Sequence, residues 1–195
     1  MGRLAEAIPS GENGLGRKKM ERKILEILPE IGEIGDPDLR EKVVRTYARA
    51  LREGGWTPED MERMPFTLAK RTTVSYAQHV RAVTRIALAA YDALREVLGD
   101  AVRLNRDVLL AGALLHDVGK LLEMAEEDGA FRKSEGGKVL RHPFSGVALA
   151  YAEGIPPEVL HIIAVHSKEG DPYPRTPEGY VVHHADFICF DTLEG

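Results

Sequence analysis

His116 and Asp117 are neighbours in the run AGALLHDVGK, whose apolar, helix-like pattern would otherwise exclude such groups. Burying an imidazole beside a carboxylate is costly unless both find partners, and a bound cation pairs with both at once. Further donors recur along the chain: His79 in SYAQHV, His142 in RHPFSG, His166 in AVHSKEG and Asp186 in HHADF, each in or beside a segment of helical character. Six N and O donors at separate points suit two divalent metal ions, provided that the helices converge.

Successive helical residues diverge by about 100°, so His116 and Asp117 cannot present their side chains along one direction. That divergence suits an imidazole on one metal and a carboxylate between two. Lys120 follows His116 by four residues and Asp117 by three, which puts it on their face and places a positive charge where a phosphate oxygen could bind. The competing expectation is a solvated lysine just past the helix. His161 and His166 are five apart and point to different faces, and His166, at the helix end, is the better ligand. His183 lies three before Asp186 and could approach the site as a partner of its ligands, whereas His161 and His184 are expected to be structural. Lys138, Arg141 and Lys168 flank the donors as candidate phosphate contacts or solvated charges.

The elements that must position these residues read as helices. An irregular, Gly-rich arm with Pro9 is expected through Arg17, packed on its own domain or on a neighbouring subunit. ERKILEILPEI is amphipathic and should end or kink at Pro29. Asp36 before Pro37 opens a second helix that Gly54 and Gly55 stop, and Thr57 with Pro58 starts a short third. Thr72 or Thr73 is expected to open a long helix ending near Gly99, and Asn105 the one that carries His116. Glu126 to Gly137 reads as a loop, Pro143 and Pro156–Pro157 start two helices, and Pro172 to Pro177 precede the last. Nothing alternates cleanly enough to require a strand, so the chain reads as all-α. Trp56, Tyr47, Phe66 and Tyr76 read as core.

A chain of 195 residues with 44% hydrophobic and 29% charged residues has ordinary globular composition, with room for one domain and an accessory segment. The expected division is residues 1–65 as N-terminal arm and accessory helices and residues 66–195 as the catalytic domain. A net charge of -5 gives no nucleic-acid signal, although a metal site can still attract phosphate locally. Cys189 is the only cysteine, which excludes an internal disulfide and a thiolate zinc cluster, and its setting in DFICF marks it as an inert core residue. The longest apolar stretch, Val108 to Leu115, is too short to span a bilayer, and cytoplasm is the default expectation.

From about Thr72 to Asp191 the chain resembles the HD superfamily of metal-dependent phosphohydrolases. The family's histidine, later His-Asp pair and final aspartate fall on His79, His116 with Asp117, and Asp186. The two histidines that dinuclear members add between the pair and the last aspartate match His142 and His166. ALLHDVGK looks like the HD-x-G-K segment, and HPFSGVALA like the helix start after the first added histidine. The resemblance implies an HD-type helical bundle carrying an N-terminal helical extension.

It also implies hydrolysis of a phosphate ester or anhydride in a small, nucleotide-like metabolite, with two ions drawn from Fe, Mn, Co, Ni or Zn. Asp117 and Lys120 are the catalytic candidates: Asp117 bridges the metals that activate a hydroxide, and Lys120 assists electrostatically. HSKEGDPYP departs from the HD-GYP phosphodiesterases, because Ser167 follows His166 and Pro172 precedes Tyr173. The ligand set is also similar to that of the dinucleoside-tetraphosphate hydrolases with a di-iron HD site. Two other classes stay open: a mixed-valent di-iron oxygenase on the same ligands, and a non-catalytic, metal-stabilised sensing or interaction domain. A homodimer is compatible with the helices before Pro65.

Overall fold

A computed structural model describes residues 14–193, in which helices dominate and one small hairpin supplies the only strands among the described residues. Helix α1 (Gly14–Ile27) ends before a 3-10 turn at Pro29–Glu33, and α2 (Pro37–Gly54) is followed by a second 3-10 turn at Pro58–Glu62. Then come α3 (Tyr76–Leu98), α4 (Arg106–Leu115) and the single turn α5 (Lys120–Glu123). The hairpin β1 (Met124–Glu127) and β2 (Ala130–Lys133) leads to α6 (Glu135–Val139), α7 (His142–Ala152), α8 (Pro157–Val165) and α9 (Pro177–Thr192).

Helix α4 is the axis of the bundle. Every residue from Leu109 to Leu115 is buried, the mark of a helix covered on all sides, and α2, α3, α8 and α9 pack around it. One apolar cluster runs from Ile24 and Leu28 through Tyr47 and Leu51 to Leu114, Val118, Leu149 and Ile163. The N-terminal helices therefore share a core with the segment that bears the His-Asp pair. A smaller cluster of Val83, Leu109, Ala113, Ile162, Val182 and Cys189 closes the opposite side. Full burial of a Leu or Ile side chain contributes about 1.5–3 kcal/mol, so this shared core holds the first two helices firmly. Trp56 adds direction, since its Nε1 donates to the Leu121 carbonyl at 2.8 Å and ties the end of α2 to the turn after Asp117.

Start signals decide most element boundaries. Asp36 caps α2 by accepting from the N–H groups of Asp38 and Leu39, and Asn105 caps α4 in the same way. Three expectations need correction. Helix α1 already begins at Gly14, so Gly14 to Arg17 are not an irregular arm, while the part of that arm at residues 1–13 lies outside the described residues. The long helix opens at Ser75, not at Thr72 or Thr73: Ser75 and Gln78 form a reciprocal capping box, while Thr72 Oγ1 accepts locally from the Val74 N–H at 3.0 Å. The span Glu126 to Gly137 is not a bare loop. Asp128 (φ 52°) and Gly129 (φ 75°) make a two-residue turn joining two antiparallel strands, in which Met124 faces Lys133. Asp-Gly is a strong hairpin signal, because both turn positions need positive φ.

Replacing Ser75 by Ala removes one cap and should cost about 1 kcal/mol. Thr73→Ala should stay within about 0.5 kcal/mol. Thermal melting of the two variants checks the assignment, and equal losses would contradict it.

Candidate metal centre

Five elements deliver the six donors to one point. His79 projects from the first turn of α3, and His116 with Asp117 from the chain just past the end of α4. His142 opens α7, His166 ends α8 and Asp186 lies within α9. His79, His116, Asp117, His142 and His166 are buried, with Asp186 partly so.

The carboxylate of Asp117 divides these donors into two groups. Its Oδ2 lies 3.3 Å from His79 Nε2 and 3.4 Å from His116 Nε2. Asp186 Oδ1 joins that group, 3.1 Å from His79 Nε2 and 3.9 Å from His116 Nε2. Asp117 Oδ1 lies 3.3 Å from His142 Nε2 and 3.5 Å from His166 Nε2. Donors each about 2.1 Å from one cation stand roughly 3–3.5 Å apart, so the spacing suits a cation in each group.

Hydrogen bonding settles which ring nitrogens are bare. The carbonyls of Ala113 and Ile163 can only accept, so His116 Nδ1 (2.7 Å) and His166 Nδ1 (2.8 Å) carry the protons. His142 Nδ1 donates to Glu123 Oε2 at 2.8 Å. In the neutral rings, the Nε2 lone pairs of His142 and His166 then face each other at 3.3 Å beside a carboxylate oxygen. Those acceptors repel one another unless a cation lies among them. Asp117 Oδ2 and His79 Nδ1 also lack a well-aligned hydrogen-bond partner among the described residues. A metal ion fits this donor set.

Burial would raise the Asp117 carboxyl, but the neighbouring Lys120 ammonium holds it well below the ordinary range. Burial acts against Asp186 too, yet contacts with His79 and His116 bring it down to about 2. His142 is pushed down by burial, more than Glu123 restores, which favours the neutral imidazole that a ligand must be. Glu123 resists its own burial through its bonds to His142 and falls to about 2.

Lys120 is not a solvated surface lysine. Its ammonium is 2.6 Å from Asp117 Oδ2 and donates to the Phe66 carbonyl at 2.8 Å, with 14% of its side chain exposed. Phe66 in turn stacks on the His79 ring with centroids 4.4 Å apart. His183 donates from Nδ1 to the His166 carbonyl at 2.6 Å, so it steadies a site residue through the backbone. Of the other flanking charges, Arg141 and Lys168 line the cavity beside Asp117, whereas Lys138 pairs with Glu135. Cys189 is buried, and desolvation followed by the charge of Asp186 pushes its thiol up to about 11.

Sequence reasoning missed Glu123 and Lys133. A carboxylate directly after the apolar pair Leu121–Leu122 is the available sign of the first, and the hairpin that carries the second has too little alternation to show as strands. The cavity encloses about 400 Å³. It is lined by Asp117, His142 and Asp186 together with the apolar Leu68, Phe187 and Phe190. That volume suits a small metabolite.

The HD domain model matches residues 76–189, more than half of the chain, and the chain belongs to the HD domain family. HD domains bind divalent metals, and this chain carries buried His/Asp groups spaced for them. The chain is also 36% identical over 161 residues to a dihydroneopterin 2',3'-cyclic phosphate phosphodiesterase of Methanocaldococcus jannaschii, across 79% of this chain. It spans 64% of that protein's length. No solved structure matches the chain. No helix among the described residues is long and apolar enough to cross a membrane.

The His-Asp turn depends on Gly119. A Cβ there would come within 2.1 Å of the His142 carbonyl and 2.7 Å of the Gly146 nitrogen, both backbone atoms that cannot swing aside. Gly119→Ala should therefore destabilise the protein by about 1–3 kcal/mol through overpacking. Urea denaturation reads this directly, and an unchanged midpoint would show that α7 does not press on the turn.

Proposed function

We propose that the protein is a metal-dependent phosphohydrolase that cleaves a phosphate ester in a small, nucleotide-like metabolite, a 2',3'-cyclic phosphate being the favoured class. The observation that carries the reading is Asp117, whose two oxygens each face a separate pair of imidazoles while Lys120 lies against the same carboxylate. The printed activity of the archaeal relative supports the substrate class.

In this reading His79, His116, Asp117 and Asp186 would hold one divalent ion and Asp117, His142 and His166 the other, drawn from Fe, Mn, Co, Ni or Zn. Bound ions supply Lewis acidity to the phosphoryl oxygens and lower the pKa of water. Hydrolysis adds water across a P–O bond: the water oxygen bonds to phosphorus, the ester oxygen leaves with the electron pair, and a water proton ends on that oxygen. Asp117 orients the attacking water. Lys120, already fixed by Asp117 and the Phe66 carbonyl, offers its remaining charge to the phosphoryl group as negative charge builds. Burial of the donors excludes bulk water, which strengthens each of these interactions. Residues 14–65 act as an accessory cap on the catalytic portion, packed on it through the apolar cluster that α1 and α2 share with α4, α7 and α8.

The protein loaded with manganese, iron or cobalt should hydrolyse a nucleoside 2',3'-cyclic phosphate and carry close to two metal ions per chain. Asp117→Ala should abolish turnover while leaving the helical circular-dichroism spectrum intact. Lys120→Ala should lower kcat/KM by about 10²–10³-fold with metal content retained, the scale for loss of one electrostatic contact to a transition state. Metal-free protein that turns over at full rate, or unchanged turnover in Asp117→Ala, would refute the reading.

A further inference from the structure

Glu123 is a buried carboxylate beside the metal centre but outside the six-donor set, and its two oxygens have separate partners. Oε2 accepts from the backbone N–H of His142 and from its ring Nδ1, both at 2.8 Å. Oε1 faces two cations, Lys133 Nζ at 3.2 Å and Arg141 Nη1 at 3.4 Å. Backbone geometry places all three together. Lys133 ends β2 opposite Met124, the residue after Glu123, and Arg141 immediately precedes His142 at the start of α7.

Lys133, Arg141 and Lys168 bring three positive charges to the cavity lining against the two carboxylates of Glu123 and Glu169, which leaves a surplus of one. Arg141 Nε reaches Glu169 Oε1 at 2.9 Å, and the Nη2 donors of Arg141 form no hydrogen bond among the described residues. Lys133 and Arg141 keep 40% and 44% of their side chains exposed, and both line the cavity that contains Asp117 and His142. Lys168 lines it too, with no ion-pair partner among the described residues. An ammonium beside a guanidinium with donors to spare is a recognition surface for a phosphate oxyanion.

We propose that Lys133 and Arg141 form an anion subsite that anchors the substrate's phosphate at the rim, and that Glu123 is the positioning residue that couples this subsite to His142. One oxygen of Glu123 sets the tautomer that leaves His142 Nε2 bare, and the other aims the two cations. The proposal rests on the phosphohydrolase reading, and its test is chosen to be independent of turnover.

Calorimetric titration of inorganic phosphate into the manganese-loaded protein provides that test. The double variant Lys133→Gln/Arg141→Gln should weaken the phosphate Kd by at least about tenfold while manganese content stays at the wild-type level. Lys133→Arg, which keeps the charge, should stay within about threefold of wild type, since hydrogen bonds to charged groups carry the effect. Glu123→Gln should weaken both manganese and phosphate binding, because it disturbs His142 and the cations together. A double variant that binds phosphate as the wild type does, or that loses its manganese, overturns the subsite. A Glu123→Gln variant with both affinities unchanged overturns the coupling. Absent hydrolysis with phosphate binding intact would count against the phosphohydrolase reading alone.

Discussion

Two carboxylates and four imidazoles meet at one largely buried point at the bottom of a cavity, and that electrostatic constraint organises the elements around it. Protons on the Nδ1 atoms of His116, His142 and His166 are committed to Ala113, Glu123 and Ile163, which turns bare Nε2 atoms toward Asp117. Such a cluster of acceptors is costly to assemble in a buried site, and its members relieve one another only through a shared cation. Lys120 supplies one fixed positive charge at Asp117 Oδ2, while the Oδ1 side has no comparable side-chain cation within ion-pairing distance among the described residues.

The frame makes that assembly rigid. Helix α4 is buried on every side, so its end is a fixed platform for the His-Asp pair, and α7 approaches so closely that only a glycine fits at position 119. His142 and His166 stand at helix termini, His79 in a first helical turn, and the caps at Ser75 and Asn105 set where α3 and α4 begin. A site built on element ends held by a common core keeps its donor spacing, which catalysis at a metal centre requires. The N-terminal helices contribute through Trp56, which grips the Leu121 carbonyl just beyond the His-Asp turn.

Much of this was legible in the chain because the signals were local. Asp36–Pro37, Asn105 and Pro156–Pro157 mark helix starts by short-range hydrogen bonding and fixed φ, and the structure places helices at each. The donors stood out as polar residues in apolar surroundings, and the structure gathers them. Where two caps competed, local reading failed: Thr72, Thr73 and Ser75 all suit a helix start, and only the reciprocal bond with Gln78 selects Ser75. The Asp-Gly turn was visible but unread, because the flanking strands are too short and polar to alternate. Glu123 shows in the chain only as a carboxylate after an apolar pair and Lys133 not at all, since their partners are set by the hairpin register and by the start of α7.

The proposed role of Asp117 is that it would hold two metal ions, one on each carboxylate oxygen. Anomalous diffraction from crystals of the manganese-loaded protein, collected on both sides of the manganese absorption edge, tests it most directly. Two peaks are expected, one among His79, His116, Asp186 and Asp117 Oδ2, the other among His142, His166 and Asp117 Oδ1. A fully loaded crystal with one peak, or with peaks away from Asp117, would contradict it.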